Sequence, residues 1–334
     1  PTLKQEILIS QNEQLIVNSK RSELQKIWAE TSYHIQKMRD NPDCAKQEFM
    51  EIDKDDDNGL HIHMTYDISA PAIKKTAPKM AILREQGVNG QVEMANAFHS
   101  AGFDCYDVHM TDLINNYVDL SNFNGLVACG GFSYGDVLGA GGGWAKSILF
   151  NSKLKDDFTK FFEAKDKFTL GVCNGCQMLS QLSGLMLNEQ NIPRFVKNTS
   201  NQFEARIAMV EIQATKSILF EGMAGSRLPI AVAHGEGRVK FGNNQDVDSL
   251  YDNKQITLRY VDNNGNTTQN YPANPNGSID GITGICSDDG RITMMMPHPE
   301  RFYRGVQNSW TRDLDEDGPW KQIFYNAYKW TTQS

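Results

Sequence analysis

A cysteine between two glycines, where an apolar strand runs into a helix, constrains this chain more than any other stretch. Residues 168–177 read F-T-L-G-V-C-N-G-C-Q, and Gly171 and Gly175 each lie two residues from Cys173. This G-x-C-x-G spacing is that of a nucleophile elbow with sulfur in place of oxygen. The tight turn leaves no room for neighbouring side chains, and the start of the following helix favours a thiolate through its N–H groups and its dipole. The sequence therefore predicts that Cys173 is a nucleophile.

Other interpretations of the same cysteine stay open at this point. Cys173 and Cys176 also form C-x-x-C, which is typical of a redox pair or of half a metal site. A zinc site needs a second closely spaced pair, and the two glycines bracket only one of the two sulfur atoms. We therefore expect Cys176 to belong to the core. The remaining cysteines are scattered singly, at Cys44, Cys105, Cys129 and Cys286.

Composition excludes several classes of protein. Over 334 residues the net charge is −8 with both signs interspersed, which argues against a nucleic-acid groove or a basic membrane-binding face. No apolar run approaches the roughly 18 residues of a spanning helix, and no signal pattern opens the chain. Scattered cysteines agree with a reducing compartment, so we expect a cytoplasmic protein. The length suits two domains or one large α/β unit, and the start at Pro1 without methionine predicts a fragment or a processed product.

The first 77 residues lack the regular alternation of strands and helices that follows them. Residues 1–20 alternate weakly and predict a small hairpin. Apolar residues at helical spacing then predict a helix from Ser22 to just before Asn41-Pro42. We interpret the rest of this segment, up to Pro78, as a linker.

An acidic tract in this linker, D-K-D-D-D-N-G at 53–59, resembles the start of a calcium-binding loop. Gly59 falls one position late, and Met64 stands where a bidentate glutamate belongs. His61 and His63 share one side of an extended segment, but the sequence offers them no third ligand. We therefore expect a solvated run of charge here and no metal site in the chain.

From Lys79 onward strands and helices alternate, which predicts a parallel sheet covered on both faces. Strands are predicted at 80–83, 105–108 and 125–129. The third strand ends in G-G-F-S-Y-G-D, and further glycines precede a helix from Trp144. Uncovered N–H groups at the carboxyl edge of such a sheet suit a ligand, and neither common phosphate-loop pattern is present. We interpret residues 130–143 as an oxyanion-binding loop that its own side chains fix only weakly.

After the elbow helix the pattern becomes mostly β, with strands predicted at 205–213, 229–233, 256–261 and 291–296 and a closing helix around Trp320. The last strand stops at P-H-P-E, where prolines fix the backbone. Side chains two apart in an extended chain lie on one side, so Glu300 is expected to hold the tautomer of His298 while the other ring nitrogen faces Cys173. A thiol, a base and an orienting carboxylate are the parts of a catalytic triad.

The combination of G-V-C-N-G-C-Q with a distal H-P-E resembles the triad (class I) glutamine amidotransferases. Further stretches resemble the glutaminase end of the long-form phosphoribosylformylglycinamidine synthases. They are G-G-F-S-Y-G-D, P-R-F-V-K-N-T-S-x-x-F-E-A-R at 193–206, A-H-G-E-G-R at 233–238, Y-P-A-N-P-N-G-S at 271–278 and M-M-P-H-P-E-R at 295–301. W-A-E-T at 28–31 and R-D-N-P at 39–42 resemble the link before that domain, so the resemblance covers nearly the whole chain.

This resemblance implies a fold and a division of the chain. The fold is a flavodoxin-like three-layer α/β sandwich with a mostly parallel central sheet, preceded by a helical linker segment. Residues 1–77 are then a tail and linker from a preceding synthetase region, and residues 78–334 are a glutamine amidotransferase (glutaminase) domain.

The resemblance also implies roles for individual residues. Cys173 attacks the side-chain amide of L-glutamine, His298 moves the proton, and Glu300 orients His298. The tetrahedral oxyanion is held by backbone N–H groups near Gly131, Phe132 and Asn174. The residues expected against the bound glutamine are Gln177, Asn198, Thr199 and Ser200. For His234 three roles stay open, in substrate channelling, in domain contact or in structure.

The family's ammonia serves an ATP-dependent step of purine biosynthesis, from formylglycinamide ribonucleotide to formylglycinamidine ribonucleotide. That step needs a large region that resembles nothing in these residues, so we expect only the glutaminase half here. The expected partners are L-glutamine and the synthetase region, without nucleic acid or membrane. No cofactor is expected in this chain, since ATP and magnesium belong to the absent region. A cysteine hydrolase or peptidase of DJ-1-like type and an inactive assembly module remain as alternatives.

Overall fold

The computed structural model describes residues 5–186, 192–242, 244–308 and 316–333; Pro1 lies outside these ranges. The β-strands are β1 Glu6–Gln11, β2 Gln14–Lys20, β3 Lys79–Arg84, β4 Asp104–His109, β5 Gly125–Ala128, β6 Phe168–Val172, β7 Arg194–Val196, β8 Glu204–Ile212, β9 Arg227–His234, β10 Arg238–Lys240, β11 Ile256–Val261, β12 Ile282–Cys286 and β13 Ile292–Met295. The α-helices are α1 Arg21–Arg39, α2 Pro42–Met50, α3 Gln91–His99, α4 Met110–Ile114, α5 Gly142–Leu149, α6 Ser152–Glu163, α7 Asn174–Gln181, α8 Asn244–Asp252 and α9 Lys321–Gln333.

A nine-stranded sheet in the order β4-β3-β5-β6-β13-β12-β11-β8-β9 forms the centre of the protein. The first five strands in this order run parallel to one another, and the remaining four extend the sheet with antiparallel pairs. The predicted α/β class with a parallel sheet is confirmed. In the β6–β13 pair Val172 lies opposite Met295, so the two strands end at the same edge of the sheet. The elbow cysteine and the P-H-P-E turn therefore emerge side by side.

Side-chain alternation in β6 shows that helices cover both faces of this sheet. Phe168 points to one face, where its ring lies 6.3 Å from that of Phe98 in α3 and 6.2 Å from that of Trp330 in α9, between centroids. Gly171, three residues later, points to the other face, and a Cβ there would lie 2.5 Å from Leu179 Cδ1 in α7. The sheet and its two helical layers form the predicted three-layer sandwich.

The N-terminal segment contains the predicted hairpin, formed by β1 and β2, and the predicted long helix, α1. The stretch interpreted as a linker contains a further helix, α2, which the periodicity did not indicate. Asn41 caps α2 by accepting hydrogen bonds from the N–H groups of Asp43 and Cys44, and Pro42 occupies the first helical position. An Asn-Pro pair therefore ends one helix and starts the next.

The segment after α2 lies on the edge of the sheet rather than crossing open solvent. His63 and Arg227 exchange two backbone hydrogen bonds, of 2.9 and 2.8 Å, which adds an extended stretch beside β9. The acidic tract also contacts the rest of the protein, since Asp57 accepts a hydrogen bond from Asn263 Nδ2 at 2.7 Å. Within the described ranges, no three His, Cys, Asp or Glu side chains come together as metal ligands. No helix in that part of the chain is long and apolar enough to cross a membrane.

Candidate active site

The turn that carries Cys173 has the strained geometry that its glycines predict. Cys173 lies between β6 and α7 with φ +54° and ψ −110°, a backbone conformation that residues other than glycine rarely adopt. A Cβ on Gly175 would lie 2.0 Å from the carbonyl oxygen of Ala128, and one on Gly171 would lie 2.9 Å from the carbonyl oxygen of Gly175. Glycine is required at both positions because backbone approaches backbone there.

The two sulfur atoms of C-x-x-C occupy different environments. Cys173 lines a cavity, whereas Cys176, in the first turn of α7, is fully buried in the core. Burial raises the pKa of the Cys176 thiol well above its usual value. The expectation that Cys176 belongs to the core is confirmed.

His298 and Glu300 form a buried pair beside this cysteine. The P-H-P-E turn follows β13, and the Nδ1 atom of His298 lies 2.6 Å from Oε1 of Glu300. The imidazole and the cysteine approach the same glycine: a Cβ on Gly130 would lie 2.7 Å from His298 Cε1 and 3.2 Å from Cys173 Cβ. The thiol donates to the carbonyl oxygen of Ala233 at 3.5 Å, and Nε2 of His298 has no hydrogen-bond partner in the described part of the chain. The structure brings these three side chains together.

The charges at this site favour a protonated His298. Burial lowers the pKa of its imidazole, but the carboxylate of Glu300 and then the charge of Cys173 outweigh burial and raise the pKa to about 10. At neutral pH His298 is therefore an imidazolium, with one N–H held by Glu300 and the other available. Such an arrangement can stabilise a neighbouring thiolate and supply a proton.

A cavity of about 590 Å³ opens over this group and collects residues from several loops. The predicted oxyanion residues Gly131, Phe132 and Asn174 all line it. Further lining residues, to which the sequence analysis assigned no role, come from the stretch before β8 and from the turn after β9. They are Lys197, Asn201, Gln202, Phe203 and Glu236.

One carboxylate fixes the glycine-rich loop, which corrects the expectation of a loop held only weakly by its own side chains. Asp136 accepts hydrogen bonds from the backbone N–H and the hydroxyl of Ser133, both at 2.8 Å, and from Gly141 N at 2.9 Å. It also accepts from Asn174 Nδ2 at 2.8 Å. Asp136 therefore ties the loop to the residue that follows the elbow cysteine. The signal in the sequence was an Asp directly after a turn glycine, Gly135.

The four residues expected against glutamine occupy different places. Gln177 lines the cavity and donates to the carbonyl oxygen of Glu236 at 2.6 Å. Asn198 is buried outside the lining, where it donates to His234 O and accepts from Gly237 N.

Thr199 and Ser200 also lie outside the cavity lining. Their carbonyl oxygens accept from the side chain and the backbone N–H of Asn41, at 2.9 and 3.1 Å. This part of the loop therefore faces the N-terminal helices, and the role expected for its side chains stays a prediction.

A family model for a CobB/CobQ-like glutamine amidotransferase domain matches residues 77–331. The chain belongs to this family. Among solved structures, one of PurLQS from Thermotoga maritima is 24% identical with a TM-score of 0.57, over 76% of this chain and 99% of that one. This likeness supports the fold.

Two other solved structures are more distant. A glutamine amidotransferase from Thermotoga maritima is 16% identical with a TM-score of 0.39, over 67% of this chain and 77% of that one. The glutaminase domain of Trypanosoma brucei CTPS, with bound acivicin, is 12% identical with a TM-score of 0.46, over 76% and 94%.

Proposed function

We propose that this chain is the glutaminase part of a phosphoribosylformylglycinamidine synthase. It hydrolyses L-glutamine and delivers ammonia to a synthetase region, which uses ATP to convert formylglycinamide ribonucleotide to formylglycinamidine ribonucleotide. The observation that carries the glutaminase assignment is the placement of Cys173 and His298 in the wall of one cavity, with Glu300 hydrogen-bonded to His298, within a glutamine amidotransferase domain. A purine role is supported by the motifs and by the fold shared with PurLQS of Thermotoga maritima.

In the first half-reaction the Cys173 thiolate attacks the side-chain amide carbon of glutamine. The carbonyl oxygen gains negative charge, and backbone N–H groups of the glycine loop and of Asn174 receive it, each worth about 3 kcal/mol in comparable sites. His298 gives its proton to the amide nitrogen, which leaves as ammonia while a thioester remains on the cysteine. Glu300 keeps the imidazole oriented throughout.

In the second half-reaction water replaces ammonia. His298, now neutral, takes a proton from the water as it attacks the thioester carbon, and the collapse of the intermediate releases glutamate and the thiolate. The buried carboxylate of Glu300 favours the return of His298 to the imidazolium, because it raises the pKa of that ring. ATP and magnesium act in the synthetase region.

The N-terminal segment supplies a docking surface for that region in this proposal. The outer face of α1 exposes apolar side chains that nothing in the described chain covers, and Trp28 is 88% exposed. The other members of this face are Ile27, Ile35 and Met38. A contiguous exposed apolar face of this kind marks a protein interface.

The decisive experiment compares two substitutions in the intact enzyme that carries this chain. Cys173→Ala is expected to abolish glutamine-dependent synthesis while ammonia-dependent synthesis persists, because the two half-reactions use separate sites. Cys176→Ala, the matched control within the same C-x-x-C motif, keeps most of both activities. A glutamine-analogue electrophile labels Cys173 in the parent protein.

The alternatives give other results in the same experiment. An assembly module without activity shows no glutamate release and no labelling in the parent enzyme. A cysteine peptidase hydrolyses peptides in preference to free glutamine. Loss of both activities in Cys173→Ala would contradict the separation of the two sites.

A further inference from the structure

A second histidine in the wall of the cavity has a ring nitrogen that the proposed mechanism does not use. His234 ends β9 and is 2% exposed. It lines the cavity with Cys173 and His298, and the carbonyl oxygen of its neighbour Ala233 accepts from the cysteine thiol. Nδ1 of His234 is buried without a hydrogen-bond partner among the described residues. A buried ring nitrogen left unpaired is costly, so such an atom calls for a partner that the free protein lacks.

Hydrogen bonds around Asn276 determine which ring nitrogen of His234 carries the proton. Oδ1 of Asn276 accepts from the backbone N–H and the hydroxyl of Ser278, at 3.0 and 2.7 Å. Its Nδ2 donates to the carbonyl oxygen of Gly237 at 2.8 Å and faces Nε2 of His234 at 3.3 Å. An amide fixed in this way presents an N–H to the imidazole, so Nε2 is the acceptor and the proton resides on Nδ1.

The ring also remains uncharged. Burial, and then the positive charge of His298, lower the pKa of His234 to about 3. The cavity therefore contains two histidines of different kinds, a cationic one that moves protons and a neutral one with a single, fixed N–H.

We propose that His234 is a substrate-contacting residue whose Nδ1–H donates a hydrogen bond to an oxygen of bound glutamine, and that Asn276 is the positioning residue that sets its tautomer. The proposal rests on the glutaminase function proposed above. Asn276 belongs to Y-P-A-N-P-N-G-S and His234 to A-H-G-E-G-R, so it gives both motifs one shared task. The acceptor is an oxygen of the α-carboxylate or of the reacting amide, and kinetics distinguish the two.

Two substitutions of His234 separate a specific donor from a space-filling ring. In His234→Asn the side-chain amide N–H takes the place of Nδ1–H, whereas in His234→Gln it takes the place of Nε2. We expect kcat/KM for glutamine in the intact enzyme to stay within about threefold of the parent in His234→Asn and to fall at least about tenfold in His234→Gln, as for the loss of a hydrogen bond to a charged or developing anion. A rise in KM identifies the α-carboxylate, and a fall in kcat identifies the amide oxygen. Equal losses in both variants overturn the proposal.

Controls separate this outcome from failure of the proposed function. The same pair of substitutions at His99, an exposed residue at the end of α3, is expected to leave kcat/KM unchanged. If the parent enzyme releases no glutamate from glutamine, the glutaminase assignment fails. If the parent is active and the Asn and Gln variants of His234 lose activity equally, only the present inference fails.

Nuclear magnetic resonance of protein labelled with ¹⁵N-histidine tests the tautomer without an activity assay. The His234 signals, assigned by their loss in His234→Asn, are expected to show the Nδ1–H form and no titration between about pH 5 and 8. Addition of glutamine to the Cys173→Ala enzyme is expected to shift the Nδ1–H proton downfield. An Nε2–H tautomer, or no shift on saturation with glutamine, overturns the proposal.

Discussion

Replacement of Gly175 by alanine tests the geometry of the elbow directly. The first turn of α7 lies against β5 so closely that a Cβ on Gly175 would be 2.0 Å from the carbonyl oxygen of Ala128 and 2.4 Å from its carbonyl carbon. Ordinary contact begins at 3.4 Å. The obstacle is the backbone of a central strand, which no side-chain rotation relieves. The helix must therefore move away by more than about 1 Å, and overpacking of this kind costs up to about 3 kcal/mol.

That cost converts into a measurable change in melting temperature and activity. In a domain of this size about 1 kcal/mol corresponds to roughly 2–4 °C, so Gly175→Ala is expected to lower Tm by up to roughly 6–12 °C. The same displacement moves Cys173, which directly precedes α7. A misplacement of about 1 Å typically costs about a hundredfold in rate, so glutamate release is expected to fall by about that factor even well below Tm.

Gly184→Ala is the matched control for this experiment. Gly184 is exposed, and a Cβ there meets no atom within 4 Å. Differential scanning calorimetry of the two variants is expected to show a change of less than about 1 °C for Gly184→Ala, as for surface substitutions within about 0.5 kcal/mol. Equal melting temperatures for the two variants would refute the steric argument, since they carry the same added methyl group.

Charge and surface variants give three further tests. The pKa of His298 is raised in the folded protein, so the stabilisation that Glu300 gives is complete below pH 6.5 and is lost as the pH rises towards about 10. Tm is therefore expected to fall across that pH range in the parent and to change less in Glu300→Gln. Parallel curves of Tm against pH for the two proteins would contradict this. Asp136→Asn is expected to lower kcat for glutamine by at least about tenfold, because the glycine-rich loop loses acceptors that align its N–H groups. An electrophile is still expected to label Cys173. An unchanged kcat would show that Asp136 does not align the loop. The synthetase region with its nucleotides is expected to raise the rate of glutamate release at least about tenfold, roughly 1.4 kcal/mol of activation barrier. Trp28→Ser is expected to reduce that rise. An isolated chain that already releases glutamate as fast as the whole enzyme would exclude such coupling.

The elbow and the P-H-P-E turn were predictable because local rules govern both. A strained turn between a strand and a helix requires glycines at fixed offsets, whatever the rest of the fold does. The pairing of His298 with Glu300 was predicted from the two-residue period of an extended chain. The pairing is present, but only His298 is extended, and Glu300 lies in a 3₁₀ turn, Pro299–Arg301, that brings its carboxylate back to the imidazole. Their meeting with Cys173 required one non-local assumption, that β13 ends beside β6. The general tendency of ligands to gather at the carboxyl edge of a parallel sheet supported that assumption.

The antiparallel half of the sheet and the fixation of the glycine loop were not predictable in the same way. Three of the four antiparallel strands, β8, β9 and β11, were predicted from their apolar runs. No local sequence pattern specifies that β12 lies next to β13 in the sheet order. Asp136 is an ordinary turn residue by its local pattern. Its importance arises from Asn174, which is 38 positions away in the chain and reaches the same carboxylate.

Two glycines, in A-H-G-E-G-R and in Y-P-A-N-P-N-G-S, show what the sequence alone does not predict. A Cβ on Gly237 would lie 2.1 Å from Nε2 of His234, and one on Gly277 would lie 2.1 Å from Oγ1 of Thr199. Each glycine is therefore required because another group lies close to its Cα, but the sequence does not indicate which group that is or from which side it approaches. A-H-G-E-G-R, Y-P-A-N-P-N-G-S and the loop before β8 make room for one another, so none of them has a readable role alone. Because the three stretches are shaped around each other, a change at Asn276 is expected to alter the chemistry at His234 while leaving every residue of the triad in place.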